Sequence, residues 1–231
     1  MKSLKETTYS AVEKFGEPVK DEFETQYKYF FNDDGFIKET DIFNENDELK
    51  TRWKRKYDDD GNLIESNMYN NDGELEEKRK GKYDNDGNAI EINIYDRDGE
   101  LLYKWKNKYD ADGNGIEQNR YDKDGELLSK WKNKFDEKGN LIEQNSYDKD
   151  GELLYKWKYK FDKKGNLIEH NSYDKDGELM YKTEYEYKEF DNNKNWLKRI
   201  EYYKEYEDEK DAVIIKREDV EITEREIEYY D

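Results

Sequence analysis

The chain has 231 residues, 32% hydrophobic and 45% charged, with a net charge of −19. So little apolar material excludes the three-layer core of an ordinary large enzyme, yet 16% aromatic residues exclude the disorder that such polarity would otherwise imply, because disordered segments are poor in rings. The acidity sets nucleic acid and anionic membrane aside as partners, and the absence of cysteine removes disulfides, thiolate metal sites and Cys nucleophiles.

Met1-Lys2-Ser3-Leu4 leads into no apolar stretch, so no signal peptide is expected there. No run of about 18 apolar residues supplies a transmembrane helix. Residues 3–15 and 21–31 read as strands joined around Gly16-Glu17-Pro18, and 1–30 is expected to be an N-terminal cap. From 31 to 187 the chain repeats itself. Tyr57-Asp58-Asp59-Asp60-Gly61 returns as Tyr83–Gly87, Tyr109–Gly113, Phe135–Gly139 and Phe161–Gly165, always 26 residues on. Tyr69, Tyr95, Tyr121, Tyr147 and Tyr173 keep the same step. A fixed period of this size marks a repeat architecture.

Each repeat predicts a β-hairpin. Leu101, Tyr103, Trp105, Asn107 and Tyr109 alternate with Leu102, Lys104, Lys106 and Lys108, the period of a strand. The turn Asp110-Ala111-Asp112-Gly113 and a shorter strand, Ile116–Tyr121, follow. Gly35, Gly61, Gly73, Gly87, Gly99, Gly113, Gly125, Gly139, Gly151, Gly165 and Gly177 close such turns. Glycine there supplies positive φ at the end of a type I turn, and the leading Asp bonds the backbone. Asp47 stands where one glycine is due, and Asp tolerates the left-handed region next best.

With Asp110 opposite Asn114, counting puts Asn107 opposite Glu117, Trp105 opposite Asn119 and Tyr103 opposite Tyr121. One face then holds Leu49, Leu75, Leu101, Leu127, Leu153 and Leu179; Trp53, Trp105, Trp131 and Trp157; and Glu39, Glu65, Glu91, Glu117, Glu143 and Glu169, with Asn67, Asn93, Asn119, Asn145 and Asn171 two places on. The other holds lysine rows such as Lys130, Lys132 and Lys134. The first is expected inside, the second in water with lysine stems lying over the sheet. Tight connections predict one all-β domain, a curled antiparallel meander of tandem 26-residue hairpins with the aromatic face concave. Glu77, Arg79 and Gly81 break the repeat, so a bend or weak point is expected over Glu76–Lys82. Residues 188–231 form a C-terminal cap, with strands over 196–206 and 213–230 and a turn over Glu207–Asp211.

The acidic turns carry Asp58, Asp60 and Gly61 as an EF-hand does, but Lys56 and Asn67 occupy two of its ligand positions, so hairpin turns are expected and no metal site. The Glu/Asn ladder is copied in every repeat, whereas a catalytic site is singular; hydrogen bonds to Asn, tyrosine hydroxyls and indole N–H groups are expected to fix register. His170, the only histidine, is placed on the solvated face. No second histidine completes a triad or a two-His metal site, so no catalytic residue and no cofactor is expected. Trp53, Trp105, Trp131, Trp157, Tyr103 and Tyr155 are the candidate binding residues if their face is open.

Tyr147-Asp148-Lys149-Asp150-Gly151-Glu152-Leu153 resembles the unit of bacterial YD-repeat (RHS-like) proteins. Asn195-Trp196-Leu197-Lys198-Arg199 and Glu224-Arg225-Glu226-Ile227 look like the end of small Bacteroidetes-type members. The family's Arg after the glycine is Asn or Glu here, and no toxin cargo or self-cleaving segment is present. The resemblance therefore implies architecture and a bacterial extracytoplasmic setting, in the periplasm or at the cell surface. Short Tyr-rich MORN-type hairpins are a second resemblance with poorer spacing. The expected function is a non-enzymatic scaffold binding a protein partner in the cell envelope. A carbohydrate-binding module using the Trp and Tyr rows, and an antitoxin or immunity protein, are the alternatives.

Overall fold

A computed structural model describes residues 1–209 and 212–229. Every element is a strand: β1 (Ser3–Lys14), β2 (Glu17–Phe31), β3 (Ile37–Phe43), β4 (Leu49–Tyr57), β5 (Leu63–Asn70), β6 (Leu75–Tyr83), β7 (Ala89–Asp96), β8 (Leu101–Tyr109), β9 (Gly115–Asp122), β10 (Leu127–Phe135), β11 (Leu141–Asp148), β12 (Leu153–Phe161), β13 (Leu167–Tyr173), β14 (Leu179–Phe190), β15 (Trp196–Glu209) and β16 (Ala212–Glu228). Each pairs antiparallel with its sequence neighbours, and β1 also pairs with β16, from Ser3 opposite Glu228 to Ser10 opposite Glu221. The sheet is thus a closed barrel. The expected curled meander is overturned by that last seam. Twist brings the ends of a long sheet round, and pairing them removes both edges. The terminal strands do this joining rather than capping separate edges. The expected tail turn narrows, because β15 continues to Glu209; Lys210, Asp211 and Tyr230 lie outside the described residues.

Turn chemistry follows the sequence. Asp110 N–H donates to Asn114 O at 3.0 Å, and Gly113 N–H to Asp110 O at 3.2 Å. The Asp110 carboxylate accepts from Asp112 N–H (3.0 Å), Asn114 N–H (2.8 Å) and the Asn114 side-chain amide (3.0 Å). Gly113 has φ 81° and Asp47, in the position due a glycine, has φ 57°. A turn not anticipated closes at Lys194, φ 68°, where Asp191 N–H donates to Asn195 O at 2.9 Å.

Register departs from the count by one residue. Lys108, not Asn107, lies opposite Glu117; Lys106 opposite Asn119; Lys104 opposite Tyr121. The cause is a β-bulge beyond the turn, where Tyr109 pairs with Gly115 and Ile116 is left over. One extra residue turns every following side chain to the other face. Glu65, Glu91, Glu117, Glu143 and Glu169, with their asparagines, therefore join the lysines. The leucine row pairs with the Tyr69–Tyr173 row, as Leu101 with Tyr95, and those tyrosines also lie with the lysines: Lys106 Nζ is 5.4 Å from the Tyr121 ring. The face that keeps Tyr103, Trp105 and Asn107 gains Gln118 and Arg120.

That aromatic face is the concave one. Trp105 and Trp131 stand on β8 and β10, with β9 between them, yet their ring centroids are 5.0 Å apart; side chains converge in this way only on the inside of a curve. Among the described residues only neighbouring strands, and β2 with β16 across β1, bring Cα atoms within 8 Å. The lumen is not packed solid. Among the described residues only Ile94, Ile200 and Ile222 are buried apolar residues. The molecule exposes 14995 Å², whereas a compact monomer of its mass would expose about 11,000 Å².

Candidate binding site in the barrel lumen

The binding candidates form a band around the lumen. Tyr103 and Trp105 meet at 6.3 Å between centroids, edge to face, and Trp105 continues to Trp131 at 5.0 Å. Tyr155 and Trp157 form a second group at 5.9 Å, with Tyr155 43% exposed. Trp53 stands apart from both, under the Arg79 guanidinium, whose Cζ is 4.4 Å from the indole centroid. Spacing alone could not show that these rings share one concave wall.

Where the repeat breaks, the wall opens into a cavity of about 490 Å³, lined by Trp53, Arg55, Leu63, Ser66, Arg79, Gly81, Tyr83, Ile92, Ile94, Tyr103, Trp105 and Gln118. Arg79 replaces a Trp and Gly81 an Asn in the 26-residue series. In β8 the residue matching Gly81 is Asn107, whose Nδ2 donates to Ala89 O at 2.7 Å; glycine brings no such side chain, and the Tyr83 ring lies where its Cβ would stand. Gly81 makes no bulge: β6 pairs regularly through it with Ile92. A Cβ there would lie 2.8 Å from Leu63 O and 2.9 Å from the Tyr83 ring. The Tyr83 hydroxyl donates to that same carbonyl at 2.8 Å, so the glycine is fixed by close approach and not by a bend.

Three guanidiniums serve this wall. Arg55 Nη1 donates to Thr40 Oγ1 at 2.8 Å; burial first, and then Arg79 nearby, hold its pKa below the ordinary value. Arg79 pairs with Glu77 at 2.6 Å. Arg120 lies 4.1 Å over the Tyr103 ring, and its buried Nε has no hydrogen-bond partner. No carboxylate lines the cavity. The seam side of the barrel is the opposite case. There burial, and then Glu24, Glu201 and Asp219, raise the pKa of Glu221.

Other expectations resolve differently. His170 is not on the solvated face; it stacks on Tyr159 in the lumen at 4.8 Å and 4°, and burial lowers its pKa. The Glu/Asn ladder does hydrogen-bond, but with lysine as third member: Lys108 Nζ to Glu117 at 2.8 Å and Asn119 Nδ2 to Glu117 at 2.9 Å. Arg55 and Arg120 do not recur, so the repeat pattern does not single them out. The usable signal was the opposite one, substitution within a row: Arg55 stands in the Asn107 series and Arg120 in the series of Met68, Ile94 and Ser146.

No family model and no curated protein matches the sequence. Among solved structures, a porin-like protein from Bacteroides uniformis superposes with a TM-score of 0.63 at 11% identity, over 98% of this chain and 97% of that one. A chain of the TcdB2–TccC3–Cdc42 structure matches 81% of this chain and 10% of its own length at TM-score 0.36 and 14% identity. A chain of the Photorhabdus luminescens Tc holotoxin pore matches 89% and 14% at TM-score 0.36 and 11% identity. The last two scores are too low to establish a common fold. The likeness to the porin-like protein shows that this chain shares its barrel fold.

Proposed function

We propose that this protein is a non-enzymatic binding barrel of a bacterial cell envelope, and that its lumen holds an extended glycan. The observation that carries the reading is the partly exposed band of Tyr103, Trp105, Trp131, Tyr155 and Trp157 facing an unfilled interior. Rings left accessible on a concave wall offer apolar faces to the flat faces of sugar rings. Size favours a chain-like guest over the folded protein partner expected from sequence. Sixteen strands about 4.8 Å apart and tilted about 40° give a round barrel a backbone radius of about 16 Å. Lining side chains narrow it further, and a 100-residue domain has a radius of gyration of about 13 Å.

The envelope setting is supported by the YD-like unit Tyr147–Leu153 and by the barrel shared with a Bacteroides porin-like protein. The convex face supports water, not lipid, around the barrel. Lys56, Lys82, Lys108, Lys134 and Lys160 stand exposed on it, each paired with a glutamate. One charge on the lipid face of a membrane barrel costs about 2–4 kcal/mol at mid-depth.

Tryptophan emission titrated with a panel of oligosaccharides tests the proposal. A saturable shift with at least one glycan, lost in Trp105→Ala and Trp131→Ala, is the expected result. Emission that acrylamide quenches but no glycan moves would refute it.

A further inference from the structure

Resting on that reading, we infer that the lumen selects an acidic glycan, and that the carboxylate or sulfate of one sugar unit is held at the broken repeat, between Arg55 and Arg79 beside Trp53 and Trp105. The cavity is lined by two guanidiniums and no carboxylate, in a chain carrying −19. Cations placed at random in so acidic a protein meet acids, as the lysines of the convex face do at every repeat. Arg55 meets a neutral hydroxyl instead, Thr40 Oγ1, and Arg79 bonds through Nε to Glu77 Oε1. A guanidinium has five donors in a planar fork, so donors remain on both for a planar carboxylate or a sulfate. Arg120 on the neighbouring β9 adds a third positive charge and a buried Nε without a partner.

The aromatic surroundings make the site one for a charged sugar and not for a bare anion. Arg79 takes the place of an indole in the row Trp53, Arg79, Trp105, Trp131. One sugar unit lying along that row brings its ring over an indole and its acid group over a guanidinium. Gly81 lines the same cavity and adds no side-chain amide to it, unlike Asn107 and Asn133 in the two repeats that follow. Charge-assisted hydrogen bonds are about twice as strong as neutral ones, and the part burial of Arg55 strengthens them over those at an exposed surface.

Calorimetric titration of the intact protein with three length-matched probes tests this: an oligogalacturonate, a sulfated heparin-type oligosaccharide and a neutral malto-oligosaccharide. Inorganic sulfate serves as the bare-anion control. The expected result is at least about tenfold tighter binding of an acidic probe than of the neutral one, the worth of one charged hydrogen bond. Added salt should weaken that preference. Arg55→Gln and Arg79→Gln should each remove most of it. Equal affinity for acidic and neutral probes overturns the inference and leaves the glycan reading standing; no binding by any sugar overturns both. Sulfate bound as tightly as the acidic sugars also overturns it, because the rings would then contribute nothing. Should either variant fail to fold, the acidic-to-neutral ratio of the unaltered protein decides alone.

Discussion

A single missing side chain shapes the lumen. At Gly81 the backbone carbonyl of Leu63 and the Tyr83 ring would stand 2.8 and 2.9 Å from an added Cβ. Neither can yield freely, since one is main chain and the other is anchored to it by a 2.8 Å hydrogen bond. Overpacking of this kind costs about 1–3 kcal/mol. Gly81→Ala should therefore lower the unfolding free energy by that amount, read as a lower urea midpoint with an unchanged m-value, and should also weaken any ligand held in the cavity. A Gly81→Ala variant as stable as the parent would mean that the wall relaxes more easily than the geometry implies. The departure from the repeat was plain in the sequence, but its meaning was not. A mid-strand glycine marks either a bend or a close approach, and only the position of Tyr83 against Leu63 decides between them.

Between strands, the deciding feature is the bulge, which the sequence conceals. Asp110 lies opposite Asn114, as counting from the turn requires, and Leu127 lies opposite Tyr121. One left-over residue beyond each turn, Ile116 or Leu128, then put Glu117 on the convex face. What the shift creates is a ladder of Lys–Glu–Asn groups. Lysine partners hold the carboxyls of Glu65, Glu91, Glu117 and Glu143 below their ordinary pKa. A depressed folded-state value contributes stability above the unfolded value, near 4.3, and loses it as pH falls through the folded one. Glu221 runs the other way: burial raises its pKa, so its contribution is full below the unfolded value and is lost as pH rises through the folded one. The depressed carboxyls outnumber Glu221, so the melting temperature should fall as pH drops from about 5 towards 3. Glu221→Gln should raise the melting temperature at pH 7 and leave it unchanged below pH 4. Melting curves across that range check both, and a Gln variant less stable at pH 7 would count against the buried carboxylate.

Closure is the property of the whole molecule that periodicity did not reveal. A 26-residue repeat tells how one hairpin meets the next; it is silent on whether the first strand meets the last, because that seam lies outside the repeat. The seam has its own chemistry. Arg225 on β16 donates to Glu6 on β1 at 2.6 Å and lies 3.4 Å over the Trp196 ring, and Glu6 also accepts from Tyr29 on β2. Both charged groups are mostly shielded, at 24% and 18% exposure, so removing the cation strands a carboxylate in a poor solvent. Truncation by Arg225→Ala should cost about 1–3 kcal/mol, below the figure for full burial because some water reaches the pair. The cost falls where the barrel is joined, so it should appear first as faster amide exchange in β1 and β16. Deleting residues 1–14 goes further. It leaves β2 and β16 as two open edges beside a concave aromatic wall, and unpaired edges recruit other chains. Light scattering should then find multimers or aggregates from the shortened chain while the full chain stays monodisperse without detergent. A shortened chain that remains a stable monomer would show that β2 and β16, already within 8 Å of each other across β1, can close the barrel by themselves.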